Sequence, residues 1–302
     1  MRSVFLNPSF SEKLCLALNR MFKPSSNYEL LRNDPSEEGK IRYSSLSARN
    51  HLATSLDYLN PERAARRIPA EILDLGCGYG GLSAALAERG GLRVTGVDLN
   101  LRGLTVAHRH IQAKQEPDNP PHFVLADAEK LPFTAEKFDL IYTIATMEHF
   151  DRPRHVLQEC SRVLRKDGRL YIHFSPYYAF MGAHLFDFIH IPWCHLLFSE
   201  KTLLRVWKRL AAKSPELAKL NTSVDQERDR FIGINKTSVR KFKRLIQDSD
   251  FRLLAYKEIA FQRWYLKALH KIPLLKEVLT IEIIAVLRKE NEVHRDGPME
   301  IS

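Results

Sequence analysis

The chain has 302 residues, 44% hydrophobic and 27% charged, which is enough apolar material for a substantial core and excludes a disordered or collagen-like polymer. A net charge of +10 with a pI near 9.4 favours anionic surfaces or acidic substrates; yet the basic residues alternate with acids, as in 62–67 and 225–230, and no RNA-binding module is recognisable, which argues against a nucleic-acid partner. The four cysteines, Cys15, Cys77, Cys160 and Cys194, form no C-x-x-C pair, no charge-free apolar run reaches the ~18 residues of a membrane span, and Glu12 and Lys13 break up a signal-peptide core, so the expectation is a cytoplasmic protein, soluble or peripheral to a membrane.

In chain order, residues 1–69 read as an N-terminal helical extension. Ser9 and Glu12 have capping-box spacing, and Phe10, Leu14, Ala17, Leu18 and Met21 follow on one helical face. That face is expected to pack on the rest of the chain, with a membrane-surface or partner helix as the alternative. Residues 33–39 read as a loop and 46–59 as the helix that leads into the core.

The apolar run 71–75 then stops in a turn with glycines at alternate positions, Gly76, Gly78 and Gly80. Glycine frees the backbone for positive φ and lets a ligand lie directly against the main chain. Leu82, Ala85 and Leu86 recur at helical spacing, and 92–98 reads as a second strand ending in Asp98. Asp98 lies 20 residues after Gly78, the distance at which an acidic residue meets a ribose in doubly wound folds; a helix N-cap is its structural alternative. The spacing matches neither G-x-G-x-x-G nor a phosphate-gripping loop. Asp74, on the strand before the turn, would repel a pyrophosphate but could hold an ammonium, which points to a nucleoside with an amino-acid tail.

Taken together, 73–80 (LDLGCGYG), 96–98 (GVD), 126–133 (ADAEKLPF), 138–142 (FDLIY), 147–150 (MEHF) and 162–170 (RVLRKDGRL) resemble, in order, the motifs of the class I S-adenosylmethionine-dependent methyltransferases, in the branch that includes the quinone-biosynthesis enzymes. The resemblance implies an α/β, Rossmann-like seven-stranded sheet with an antiparallel last strand, and S-adenosyl-L-methionine as cofactor. By the same resemblance Gly76, Cys77, Gly78 and Gly80 form the loop on the methionyl part, Leu99 packs on the adenine, Asp127 and the Ala128 backbone read its edge, and Thr143 approaches the methionyl tail. Asp127 has a turn-forming alternative.

The core is expected over 70–174. Residues 175–235 then intervene as a lid or acceptor-binding insertion, 236–290 complete the sheet with a helix over 237–246 and strands over 251–256 and 281–287, and 291–302 form a flexible tail. The insertion carries Tyr177, Tyr178, Phe180, Phe186, Phe188, Trp193 and Phe198, which either cover an apolar or aromatic small-molecule acceptor or anchor the insertion. Candidate bases are His149, His184 and His195, each with a structural alternative. Relatives that bind a metal beside the Glu-His pair place another Glu where this chain has Ala145, so no metal is expected. The reading is a methyltransferase with O-methylation of a small acceptor favoured; RNA or protein methylation, or a non-catalytic cofactor-binding partner subunit, are the alternatives. Nothing in the sequence sets the oligomeric state.

Overall fold

The protein is described from a computed structural model over residues 8–22, 33–34, 36–55, 70–113, 119–182, 184–185, 188–215, 224–225, 230–231, 234–261 and 264–290. The expected tail at 291–302, Phe186, and 56–59 of the second helix lie outside these residues.

Seven strands form one sheet: β1 (Ala70–Leu75), β2 (Leu92–Asp98), β3 (His122–Leu125), β4 (Phe138–Ile144), β5 (Leu164–Phe174), β8 (Phe251–Ala260) and β9 (Thr280–Lys289). Their order is β3-β2-β1-β4-β5-β9-β8, with β1 to β5 parallel and β9 antiparallel to both of its neighbours. This is the expected Rossmann-like sheet. A separate two-residue pair, β6 (Val224–Asp225) and β7 (Arg230–Phe231), lies in the insertion.

Strand alternation divides the side chains between two layers. Leu73, Ile141, Ile172, Phe174, Ile283 and Leu287 pack with α5 (Pro153–Val163) and α8 (Val239–Gln247). Ile72, Tyr142, Tyr171 and Val286 meet α2 (Glu37–Ser55) and α3 (Gly81–Ala87) on the other face. Helix α4 (Leu101–Ala113) flanks β2 and β3. Because β1 neighbours both β2 and β4, the chain reverses its winding direction there, which opens a crevice at the carboxyl ends of the strands.

The insertion and the N-terminus share a third core. Leu185, Ile189, Leu203, Val206 and Trp207 pack with Cys15 of α1 (Phe10–Asn19), around α6 (Cys194–Leu197) and α7 (Glu200–Ala211). The Ser9 hydroxyl caps α1 by accepting the Glu12 N–H at 3.3 Å, as its spacing predicts. The packed face of α1 overlaps the predicted one only at Leu18. Glu12, Cys15 and Asn19 are buried, whereas Phe10, Leu14 and Met21 are exposed.

Two further elements depart from expectation. Helix α2 begins at Glu37, inside the expected 33–39 loop, because Ser36 accepts the Gly39 N–H at 3.1 Å and supplies the cap. Between β8 and β9 a helical hairpin intervenes, α9 (Trp264–His270) and α10 (Pro273–Leu279), which the sequence pattern had not suggested. Glu277 of α10 accepts the Val239 and Arg240 N–H groups at 3.0 and 2.9 Å, placing a carboxylate on the first turn of α8. No helix among the described residues is long and apolar enough to cross a membrane.

Candidate active site

The glycine loop joins β1 to α3 with Gly76, Gly78 and Gly80 at φ of 79°, 53° and 73°. A side chain at Gly76 would collide with Thr146, and one at Gly80 would reach the Ala107 Cβ at 2.8 Å. At Gly78 nothing lies within 4 Å of the position a Cβ would take, so the backbone there fronts open space. The loop is held from behind: Gly76 and Cys77 donate to the Val97 carbonyl at 2.8 and 3.0 Å. Helix α2 braces its far end, the Ser44 hydroxyl accepting the Gly81 N–H at 3.1 Å and the Lys40 ammonium lying 5.1 Å from the Tyr79 ring centre.

Asp98, at the end of β2, accepts the Gly78 N–H and the Asn100 N–H at 2.8 Å each. Asn100, not Asp98, caps α4, its side-chain oxygen taking the Gly103 N–H at 3.1 Å. A carboxylate has about four lone-pair sites, so two bonds leave acceptor capacity at the loop. Leu99 beside it is 69% exposed, a large apolar side chain standing free at the crevice.

Asp74 is 3% exposed and accepts the Ser83 hydroxyl at 2.6 Å. Burial pushes its carboxyl up to about 7, and the Asp98 charge adds to the shift. Among the described residues no basic side chain pairs with it. A buried carboxylate without a cation, next to an open glycine loop, fits a ligand that carries its own ammonium.

The Ala126 N–H donates to the Asp98 carbonyl at 3.2 Å, which brings the segment after β3 alongside. Asp127 is exposed, its side chain taking the Glu129 N–H at 2.8 Å in an Asx-type turn. That turn realises the structural alternative for Asp127 and leaves its second oxygen for a ligand. Ala128 is half-buried against the main core. Arg162 fixes the following segment by donating to the Leu131 and Phe133 carbonyls at 3.0 and 2.6 Å. Thr143, on β4, is 1% exposed and its hydroxyl has no hydrogen-bond partner among the described residues.

The histidines separate into two places. His149 closes a 3₁₀ turn, Met147–His149, that follows β4, and the insertion returns to it: Asn235 donates to the Met147 and Phe150 carbonyls at 2.7 and 2.8 Å. His184 lies edge-on to His149 with ring centres 4.9 Å apart, and its Nε2 is 3.5 Å from Glu148 Oε1. Burial pushes Glu148 up to about 8 and His184 down to about 3, so both are largely neutral at pH 7. One atom each from Glu148, His149 and His184 lies within 4.8 Å of the others, a set able to hold a metal ion together. The expectation of no metal rested on Ala145. His184, brought over by the insertion, supplies the third ligand that Ala145 cannot.

His195, on α6, lies edge-on to Tyr177 with centres 5.0 Å apart, and among the described residues neither ring nitrogen has a hydrogen-bond partner of good geometry. Burial lowers its pKa. Of the insertion's rings, Phe188 packs edge-on to Trp207 at 5.4 Å, Phe198 joins the same core, and Trp193 is tied by its indole N–H to the Val278 carbonyl at 3.0 Å. These three are anchors. Tyr177 and the partly exposed Tyr178 remain with His195 as rings that could meet an acceptor.

A further cluster had not been anticipated. His173 of β5 has its ring 4.3 Å from that of His51 on α2 and its Nε2 3.2 Å from Glu282 on β9. Burial pushes His51 down to about 4, and the hydrogen bond from His173 lowers Glu282. The His173 carbonyl accepts the Ala145 N–H at 2.8 Å, so the cluster adjoins the end of β4. The available signal was a histidine in the apolar run of β5 and a glutamate in that of β9.

Residues 73–172, which contain the glycine loop, Asp74, Asp98, Asp127, Thr143 and the Glu148-His149 pair, match a family model described as a methyltransferase domain. The chain is 38% identical over 102 residues to methyltransferase GfsG of Streptomyces halstedii, covering 34% of this chain and 36% of that protein. It is 34% identical over 118 residues to a ubiquinone biosynthesis O-methyltransferase of Coxiella burnetii, covering 37% of this chain and 49% of that one. The chain thus spans about half or less of the length of these curated relatives. Its fold is similar to that of geranyl diphosphate C-methyltransferase from Streptomyces coelicolor A3(2), with a TM-score of 0.50 at 14% identity over 80% of this chain and 77% of that chain. Across residues 73–172 the chain is thus similar to a methyltransferase domain, with S-adenosyl-L-methionine as the cofactor.

Proposed function

We propose that the whole chain is an S-adenosylmethionine-dependent methyltransferase that modifies an oxygen of a small apolar or aromatic acceptor. The observation that carries this reading is the open backbone at Gly78 together with two carboxylates, Asp98 and the buried Asp74, which has no cation among the described residues. The O-methyltransferase name of one relative supports the choice of oxygen. Bound S-adenosylmethionine supplies an electrophilic methyl group on a sulfonium.

The protein's own part is to bind, orient and handle a proton. Gly76, Cys77 and Gly78 offer backbone to the methionyl part, Asp74 takes its ammonium, Asp98 the ribose hydroxyls, and Thr143 lies toward the tail. Leu99, Asp127 and the Ala128 backbone take the adenine. Orientation provides much of the acceleration of a displacement of this type. A base is required where the acceptor must lose a proton, and its efficiency is greatest when its pKa lies near the working pH. His184, at about 3, is a weak base and serves better to orient Glu148 and His149. His149 and His195 are the candidates for proton removal.

The test measures S-adenosylmethionine binding by calorimetry and S-adenosylhomocysteine release with phenolic, RNA and protein acceptors. Release with phenols supports the proposal, and release only with RNA or protein moves the acceptor class. Binding without release under every condition identifies a non-catalytic partner subunit. With an active acceptor, His149→Gln and His195→Gln separate the roles: the base should lose about 10²–10⁴-fold in rate at unchanged cofactor affinity. If both variants turn over normally, no histidine of this pair acts as base.

A further inference from the structure

Helix α1 is anchored by its polar side. Glu12 pairs with Arg205 at 3.0 Å, Ser11 meets Thr202 at 3.3 Å, and Asn19 donates to the Phe188 carbonyl at 2.8 Å while accepting the His190 N–H. These bonds and the buried Cys15 fix the rotation of the helix. The exposed part of its apolar stripe therefore faces outward, Phe10 83% and Leu14 43% exposed on the helix and Met21 76% and Phe22 41% just beyond its end, while Leu18 packs on the insertion core. A stripe fixed toward solvent by specific bonds on the opposite face marks an interaction surface.

Other added elements also expose apolar side chains. Leu196 and Leu197 are exposed on α6, whose Cys194 shares a core with Cys15. Ile272 and Leu274 are exposed at the start of α10, which is tied to α6 through the Trp193 indole. Cations accompany the stripe: Lys13 and Arg20 are exposed on α1 and Lys271 precedes Ile272. The first 23 residues hold Arg2, Lys13, Arg20 and Lys23 against Glu12 alone, and Glu12 is taken by Arg205. An apolar ridge framed by cations matches an interfacial helix on anionic lipid. A second copy of the chain would instead set these cations against their own kind.

We propose that α1, together with the exposed leucine and isoleucine side chains of α6 and α10, docks this protein on an anionic membrane surface. The inference stands on α1 and does not depend on the reaction assigned to the crevice. The experiment is co-sedimentation of the full chain with vesicles of phosphatidylcholine, with and without phosphatidylglycerol. The protein is expected to sediment with the anionic vesicles and to be released at high salt. The triple variant Phe10→Ser, Leu14→Ser, Met21→Ser should lower the partition coefficient about tenfold or more at unchanged thermal stability. If that variant melts lower, Lys13→Ser with Arg20→Ser carries the test, and it should lose the preference for anionic over neutral vesicles. Wild-type protein left in the supernatant overturns the proposal, as does unchanged binding of the folded variants. So does a dimer that the triple variant splits while vesicle binding is absent, which would assign the stripe to self-association.

Discussion

Asp98 does two things at once, and its replacement should show both. It accepts from Gly78 and Asn100, holding the glycine loop against the start of α4. Asp98→Ala is therefore expected to weaken S-adenosylmethionine binding by roughly 1.5–3 kcal/mol and to lower stability by about 1–2 kcal/mol, from the hydrogen bonds lost to a charged acceptor. Calorimetry and thermal unfolding of the same variant check the two effects. Asp74 makes a pH-dependent prediction. Its folded-state pKa, about 7, lies above the ordinary value of 3.8, so the folded protein holds an extra proton between these values. The associated stability is full below the unfolded pKa and is lost as pH rises through the folded one. Asp74→Asn should make the fall in melting temperature shallower over that window. An ammonium bound at Asp74 favours the carboxylate, so binding of S-adenosylmethionine below about pH 7 should release a proton. Calorimetry at pH 6 in buffers of different ionisation enthalpy measures that release, and it should vanish in Asp74→Asn.

Among the elements, the hairpin α9–α10 has the clearest structural task. Glu277 supplies acceptors to the first turn of α8, whose own cap, Ser238, takes only the Lys241 N–H at 3.2 Å. Glu258 of β8 reinforces the arrangement by meeting Lys243 of α8 at 3.1 Å and Lys276 of α10 at 2.9 Å. Glu277→Ala should therefore cost about 1–2 kcal/mol through the loss of helix capping and of the charge at the helix N-terminus, measured as a shift in the denaturant midpoint. The strands illustrate why sequence reading worked for the sheet. Apolar runs bounded by turns predicted β1 and β2, because burial on both faces leaves a local signature, and the family resemblance implied the rest of the sheet. The hairpin has no such signature, since its helices are seven residues each and gain their order from α8 and β8.

On the scale of the molecule, the chain carries a separate helical core built from the insertion and α1 around Trp207. Trp207 is 1% exposed, and Trp207→Ala should destabilise that core by about 3–5 kcal/mol through the cavity left behind. The glycine loop does not touch this core. The variant is expected to keep its affinity for S-adenosylmethionine while losing methyl transfer, and to show an early unfolding transition by calorimetry that the wild type lacks. The sequence by itself determined β1, β2, the glycine loop and the positions of Asp74 and Asp98, because close spacing along the chain places these groups at successive strand ends, while the remainder of the sheet and the place of Asp127 followed from the family resemblance. It also determined which face of α1 is apolar. Only the tertiary structure decided that most of this face looks outward, because the polar partners of Glu12 and Asn19 lie 169 to 193 residues away. For the same reason the tertiary structure alone brought His184 beside Glu148 and His149, and set His173 against His51 and Glu282. Those meetings depend on where an insertion turns back and on the register of β5 with β9, and neither leaves a periodic trace in the residues that take part.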